Sequence, residues 1–184
     1  MARLPLVDPE RASPEVAEAL RALPAPLGIF RLMAHAETCL RPLVGLGTAI
    51  LGRQQLDPKL RELAVLQAAV LTPGRYEWVQ HVPIARAVGV SEAEVEAVGR
   101  RDWEAECLGE TARLALRFGA HALGSASVPD ELFDALAARL SPREIVELLL
   151  TLGYYSMLAR LTEVTGLEID APMGDRIVGA IRRA

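Results

Sequence analysis

Along this chain apolar residues recur at spacings of three and four, and alternation at two is nearly absent. Ala, Leu, Arg and Glu, all strong helix formers, dominate. The pattern predicts an all-α protein with helices near 13–23, 28–52, 57–71, 74–88, 91–100, 104–123, 129–139 and 141–165. Several starts are marked. Ser13-Pro14-Glu15 and Asp57-Pro58 place proline where a helix needs no N–H. Ser91 with Glu94, and Ser141 with Glu144, fit capping boxes, and Ser127 before Pro129-Asp130 is a looser signal. Pro42 is expected to kink or split the second helix, and Pro83 to kink the fourth. The tail after Gly166 reads as irregular, with a short amphipathic end at Arg176 to Arg182.

Two segments are apolar almost all round. Residues 63–71 carry no charge, and residues 145–161 carry only Glu147 and Arg160. Such helices are buried inside a domain or between subunits. Two of them in a chain of 184 residues predict a homo-oligomer. The chain reads as a single domain, residues 1–184 with a core of about 28–166. An echo between Asp57-Pro58-Lys59-Leu60-Arg61-Glu62-Leu63 and Ser141-Pro142-Arg143-Glu144-Ile145-Val146-Glu147-Leu148 raises a weak internal repeat, 57–100 and 141–166. Two helices using the same cap explain it equally well.

Composition narrows the function. Hydrophobic residues at 51% and charged residues at 24% suit a globular domain. A net charge of -4, no strongly basic stretch and 4% aromatics argue against nucleic acid as a partner. The longest charge-free apolar run, 148–159, is shorter than the roughly 18 residues a bilayer span needs, and the N-terminus has no apolar signal core. Cys39 and Cys107 are far apart and form no CxxC. They read as reduced thiols, and the protein as cytoplasmic, with no membrane partner.

The densest chemistry lies in TPGRYEWVQH, residues 72–81. Thr72-Pro73-Gly74 ends one helix and starts the next, which predicts an αα-hairpin. Glu77 and His81 then share one face, one turn apart. Glu62, on the facing helix about three turns before the bend, falls near the level of His81. A histidine flanked by carboxylates is a proton-transfer device. The same spacing also describes a solvated Glu–His pair, with Glu62 bound to Lys59 or Arg61 instead. A metal site built from Glu62, Glu77 and His81 is set aside, since HExxH is absent and His35 and His121 belong to other helices. No metal and no cofactor is expected.

The segments Leu60-Arg61-Glu62-Leu63, Leu71-Thr72-Pro73-Gly74-Arg75-Tyr76-Glu77-Trp78-Val79-Gln80-His81 and Ala85-Arg86-Ala87-Val88-Gly89-Val90-Ser91 resemble the carboxymuconolactone decarboxylase family, which includes the alkylhydroperoxidase D-like proteins. Val146-Glu147-Leu148, Gly153-Tyr154-Tyr155-Ser156-Met157-Leu158-Ala159-Arg160 and Gly166-Leu167-Glu168 look like its longer members. The resemblance implies an all-α, alkylhydroperoxidase D-like bundle built around the hairpin and assembled as a dimer, trimer or hexamer. In the peroxidase branch a glutamate and a histidine match Glu62 and His81, while its two cysteines fall at Gly74 and Glu77. Without thiols there, peroxidase chemistry of that kind cannot run.

The resulting expectation is a cofactor-free enzyme using a Glu/His proton relay on a small carbonyl, lactone or carboxylate substrate. His81, Glu62 and Glu77 are its candidate catalytic residues. Arg75 could clamp a substrate carboxylate, or be a solvated charge at a helix start. Tyr76 and Trp78 could line the pocket or a subunit interface. A residual peroxidase and a non-catalytic binding or scaffold protein are the alternatives.

Overall fold

The computed structural model describes residues 2–173, apart from 24 and 26, and residue 179. Among them lie nine helices and no strand. These are α1 (Pro14–Arg21), α2 (Gly28–Met33), α3 (Glu37–Arg53), α4 (Pro58–Leu71), α5 (Arg75–Ala87), α6 (Glu92–Gly99), α7 (Glu110–Ser125), α8 (Asp130–Ala137) and α9 (Pro142–Thr165).

The capping signals account for the three starts that frame the centre. The Asp57 carboxylate accepts the Leu60 amide at 2.9 Å and opens α4. Ser91 with Glu94 and Ser141 with Glu144 form complete capping boxes on α6 and α9. Ser13 instead donates its hydroxyl to Glu37, and Pro129, not Ser127, precedes α8.

Two predicted helices are shorter than expected. The segment 28–52 breaks at residues 34–36, not at Pro42, which lies inside α3. The cause is a competing tertiary pairing. The Arg31 carbonyl accepts the Val7 amide at 3.2 Å, and the Arg31 side chain donates to the Val7 carbonyl at 2.9 Å. The carbonyl that would carry the helix onward is thus turned to the N-terminal segment. Likewise 104–123 starts only at Glu110. Residues 102–109 form turns pinned by buried Leu108, with Gly109 as the N-cap. Pro83 sits within α5, which continues through it. The end at Arg176 to Arg182, residue 179 apart, lies outside the described residues.

α4 is the central shaft. Its residues from Leu60 to Ala69 are buried without interruption, because α5, α6, α7 and α9 surround it. This is the all-round burial that its apolar sequence predicts. α9 is different. It buries ten residues on one side, while Val146, Leu149, Leu150 and Val164 are exposed on the other. By length and composition alone α9 could cross a membrane, yet 56% of its most apolar stretch is buried inside the protein. Glu147 ties α9 to the turn entering α4 by accepting the Gln55 and Leu56 amides, each at 2.8 Å.

The α4–α5 turn is closed sterically from above by α9. A Cβ on Gly74 would stand 2.6 Å from the Ala159 Cβ and 2.7 Å from a Glu77 carboxylate oxygen. Gly74 has φ -79°, so the demand for glycine here is space, not backbone angle. Gly74→Ala is therefore expected to cost about 1–3 kcal/mol of unfolding free energy in urea melts, as overpacking does. Adding Ala159→Gly should return part of that loss, and a neutral Gly74→Ala would show that the turn has room to spare.

Candidate functional site

The hairpin brings the predicted acid and histidine together. The Glu62 carboxylate on α4 lies 2.9 Å from Nδ1 of His81 on α5. A carboxylate accepts only, so Nδ1 carries the proton and Nε2 presents its lone pair. Glu62 is completely buried and His81 nearly so. The other Glu62 oxygen accepts the Nε–H of Arg61 at 3.1 Å, and Arg61 is itself buried. Glu62 thus bonds to both Arg61 and His81, where the sequence posed these as alternatives. Lys59 turns elsewhere, to Glu94 at 2.9 Å.

Glu77 lies one turn before His81 and faces α9. Its two oxygens share the Thr162 hydroxyl, at 3.1 and 3.2 Å. Burial pushes its pKa above the ordinary 4.5, against the opposing pull of its own backbone amide, Thr162 and His81. Tyr155, also on α9, meets the His81 ring edge to face, with centroids 4.6 Å apart. Burial first, then the neighbouring Glu62 charge, pushes its hydroxyl well above the ordinary 10.0, so it remains a donor at all working pH.

His81, Glu77 and Tyr155 border a cavity of about 570 Å³ between α1, α2, α3, α5 and α9. Leu27, Ile29, Phe30, Met33, Ile84 and Leu158 give it mostly apolar walls. The volume suits one small organic ligand. Gly47 shapes the wall on α3. A Cβ there would meet the Tyr154 hydroxyl at 2.6 Å, and its absence lets that hydroxyl donate to the Leu43 carbonyl at 3.0 Å. Burial raises the Tyr154 pKa to about 12.

Of the three predicted binding residues, only Tyr76 borders the cavity, with its hydroxyl donating to Asp170. Arg75 points away. Its side chain is 77% exposed, and it lies 3.6 Å from Glu163 in a solvated pair. Trp78 packs on the opposite side of α5 against Gly99 of α6. The reason is helical phase: 77, 80, 81 and 84 share the cavity side of α5, which positions 75 and 78 do not. Among the described residues no group of three or more His, Cys, Asp or Glu is arranged to hold a metal ion. Cys39 and Cys107 are free and exposed.

Residues 38–121 match the model of the carboxymuconolactone decarboxylase family. Through this segment the chain resembles that family. No curated protein matches it in sequence. Among solved structures, it is similar to the alkylhydroperoxidase AhpD core of an uncharacterized peroxidase-related protein from Ralstonia eutropha JMP134, with TM-score 0.78, 16% identity and 92% of each chain covered. An uncharacterized peroxidase-related protein from Silicibacter sp. TM1040 gives TM-score 0.75 and 18% identity, again covering 92% of each chain. The debrominase Bmp8 in complex with 2,3,4-tribromopyrrole gives 0.67 and 20%, covering 91% of this chain and 87% of that one. These likenesses show the alkylhydroperoxidase D-like helical fold. The carboxymuconolactone decarboxylase segment carries the hairpin with Glu62, Glu77 and His81, whereas Tyr155 and Thr162 lie beyond it.

Sequence reasoning missed Tyr155, Thr162 and Asp170. All three come from the C-terminal part and meet the hairpin only through tertiary packing. The one local signal was the polar run within the otherwise apolar α9, Tyr154-Tyr155-Ser156.

A carboxyl whose native pKa is raised stabilises the fold fully below its ordinary value of 4.5, and this contribution is lost as pH rises through the native value. Glu77→Gln cannot ionise. Its melting temperature relative to the parent should therefore climb as pH goes from 4 to 8. A difference that is flat across that range would mean Glu77 ionises at no cost.

Proposed function

We propose that the protein is a cofactor-free enzyme that moves a proton on a small carbonyl, lactone or carboxylate substrate, with His81 as general acid and base. The observation that carries this reading is the 2.9 Å bond from His81 Nδ1 to buried Glu62, which leaves Nε2 available to a ligand in the cavity. Nε2 takes the proton, and the resulting imidazolium rests against the Glu62 carboxylate. Arg61 fixes that carboxylate from its other side. The proton then passes back to product, or to the enolate carbon left when a β-keto acid loses carbon dioxide. Glu77 is the second carboxyl of the site, and Tyr155 adds a hydroxyl donor beside the ring.

Such chemistry needs no thiol. A thiol peroxidase is disfavoured because Ala159 and the Glu77 carboxylate fill the space a side chain at residue 74 would need. The two free cysteines accord with a cytoplasmic setting, which we adopt. For partner we assign a second copy of the chain, seated on the open apolar side of α9 at Val146, Leu149 and Leu150.

Replacing His81 by Ala should lower kcat by about 10²–10⁴-fold on any carboxylated lactone or β-keto acid the protein turns over. Equal turnover by both proteins on every active substrate would sink the role of His81. If neither has any activity in such a screen, the family fold serves binding alone. For assembly, Leu149→Lys with Leu150→Lys should reduce the sedimentation mass to that of one chain. An unchanged mass would place the interface elsewhere.

A further inference from the structure

The polar groups around the cavity can be accounted for one by one. Tyr76 gives its hydroxyl proton to Asp170. The Gln80 amide donates to the Asp170 carbonyl at 2.8 Å and accepts the Met173 amide at 3.4 Å. Thr48 donates to the Val44 carbonyl at 2.9 Å, and Tyr154 to the Leu43 carbonyl. Each is committed within the protein. Two groups are not. His81 Nε2 and the Tyr155 hydroxyl bond to no described residue, and their rings touch. With Glu77, whose carboxyl takes the Thr162 hydroxyl beside them, they form the polar locus that a ligand meets among mostly apolar walls.

Charge decides what that locus can receive. Glu62 and Glu77 both stand beside His81. The buried guanidinium of Arg61 is already on Glu62. The cations bordering the cavity, Arg41 and Arg53, are at its solvent side. Arg41 is 3.0 Å from Glu18, with both side chains largely exposed, and Arg53 is exposed. A ligand carboxylate placed against His81 would be a third acid there, and the one cation within reach, a His81 imidazolium, already faces Glu62 and Glu77.

We infer that the group presented to His81 and Tyr155 is uncharged, so that the ligand is an apolar body bearing one neutral oxygen, a carbonyl, lactone or un-ionised hydroxyl, and not a carboxylate. This narrows the substrate class of the proposed enzyme and rests on that reading for the identity of the site. The Tyr155 hydroxyl donates to the ligand oxygen, and His81 Nε2 serves the adjacent proton. A carboxylate elsewhere on a longer ligand stays in water near Arg53.

The test is calorimetric titration of the full chain at pH 7 with 4-ethylphenol, 4-ethylbenzoate and ethylbenzene. The phenol is un-ionised there, since phenolic hydroxyls titrate near 10. It should bind at least about tenfold more tightly than the benzoate, given the cost of burying an unpaired charge. Tyr155→Phe should weaken the phenol about fivefold, the scale of one hydrogen bond, and leave ethylbenzene unchanged. Three results would overturn the inference: no phenol binding, benzoate binding as tight as phenol, or a Tyr155→Phe effect equal for phenol and ethylbenzene. These are binding measurements. A reversed order with His81-dependent turnover intact sinks the ligand class alone, while the expected order without such turnover sinks the catalytic reading alone.

Discussion

The bond between Glu62 and His81 is the constraint on which the centre of this protein turns. α4 is surrounded by four helices, so a glutamate on it has no route to water. An unpaired carboxylate in that position would cost several kcal/mol. Arg61 and His81 satisfy one oxygen each. That pairing fixes how α5 lies on α4, and it selects the imidazole tautomer at the same time. A structural requirement, the neutralisation of a buried acid, and a chemical one, a histidine with its basic nitrogen facing a cavity, are met by one contact.

The position of α9 follows from this. With α5 set by His81, Glu77 is carried one turn back, beneath the start of the hairpin, and needs a partner of its own. Thr162 supplies the hydroxyl, and Ala159 closes over Gly74 within van der Waals distance. The space that thiols would occupy, on the resemblance to the peroxidase branch, is filled by a methyl group and a carboxylate. Tyr155 then lands on His81 because it lies one helical turn before Ala159 on the same side of α9. The lack of room for a side chain at residue 74 and the tyrosine beside the histidine are consequences of one packing arrangement.

The hairpin and its acid–histidine pair were legible because their signals are local. A turn dipeptide, a four-residue spacing and an uninterrupted apolar helix each sit within one stretch of sequence. What was illegible depended on distant partners. The break at residues 34–36 exists because Val7 captures the Arg31 carbonyl, 24 residues away in sequence. Arg75 and Trp78 were grouped with Tyr76 by adjacency, yet successive positions on a helix point about 100° apart, and only the packing of α5 reveals which phase faces the cavity. The oligomer argument shows the same limit. Apolar character all round was read alike in α4 and α9, but α4 is enclosed by its own chain whereas α9 leaves Val146, Leu149 and Leu150 open.

The division of the cavity between segments bears on what this protein can accept. The part matching the family model, 38–121, supplies α4 and α5 and hence the acid, the histidine and Glu77. The opposite walls come from outside it: Leu27, Ile29, Phe30 and Met33 before, Tyr154, Tyr155 and Leu158 after. The N-terminal wall is held by polar ties to the rest of the chain, since Gly28 donates its amide to the same Asp170 carboxylate that receives Tyr76. Asp170 therefore joins three elements, α2, α5 and the segment after α9, at the edge of the cavity. Apart from Tyr155, which touches the His81 ring, these wall residues can alter size and polarity while the Glu62 carboxylate keeps its bonds to Arg61 and His81. The Glu62–His81 pair and the walls that face it are thus supplied by different segments of the chain.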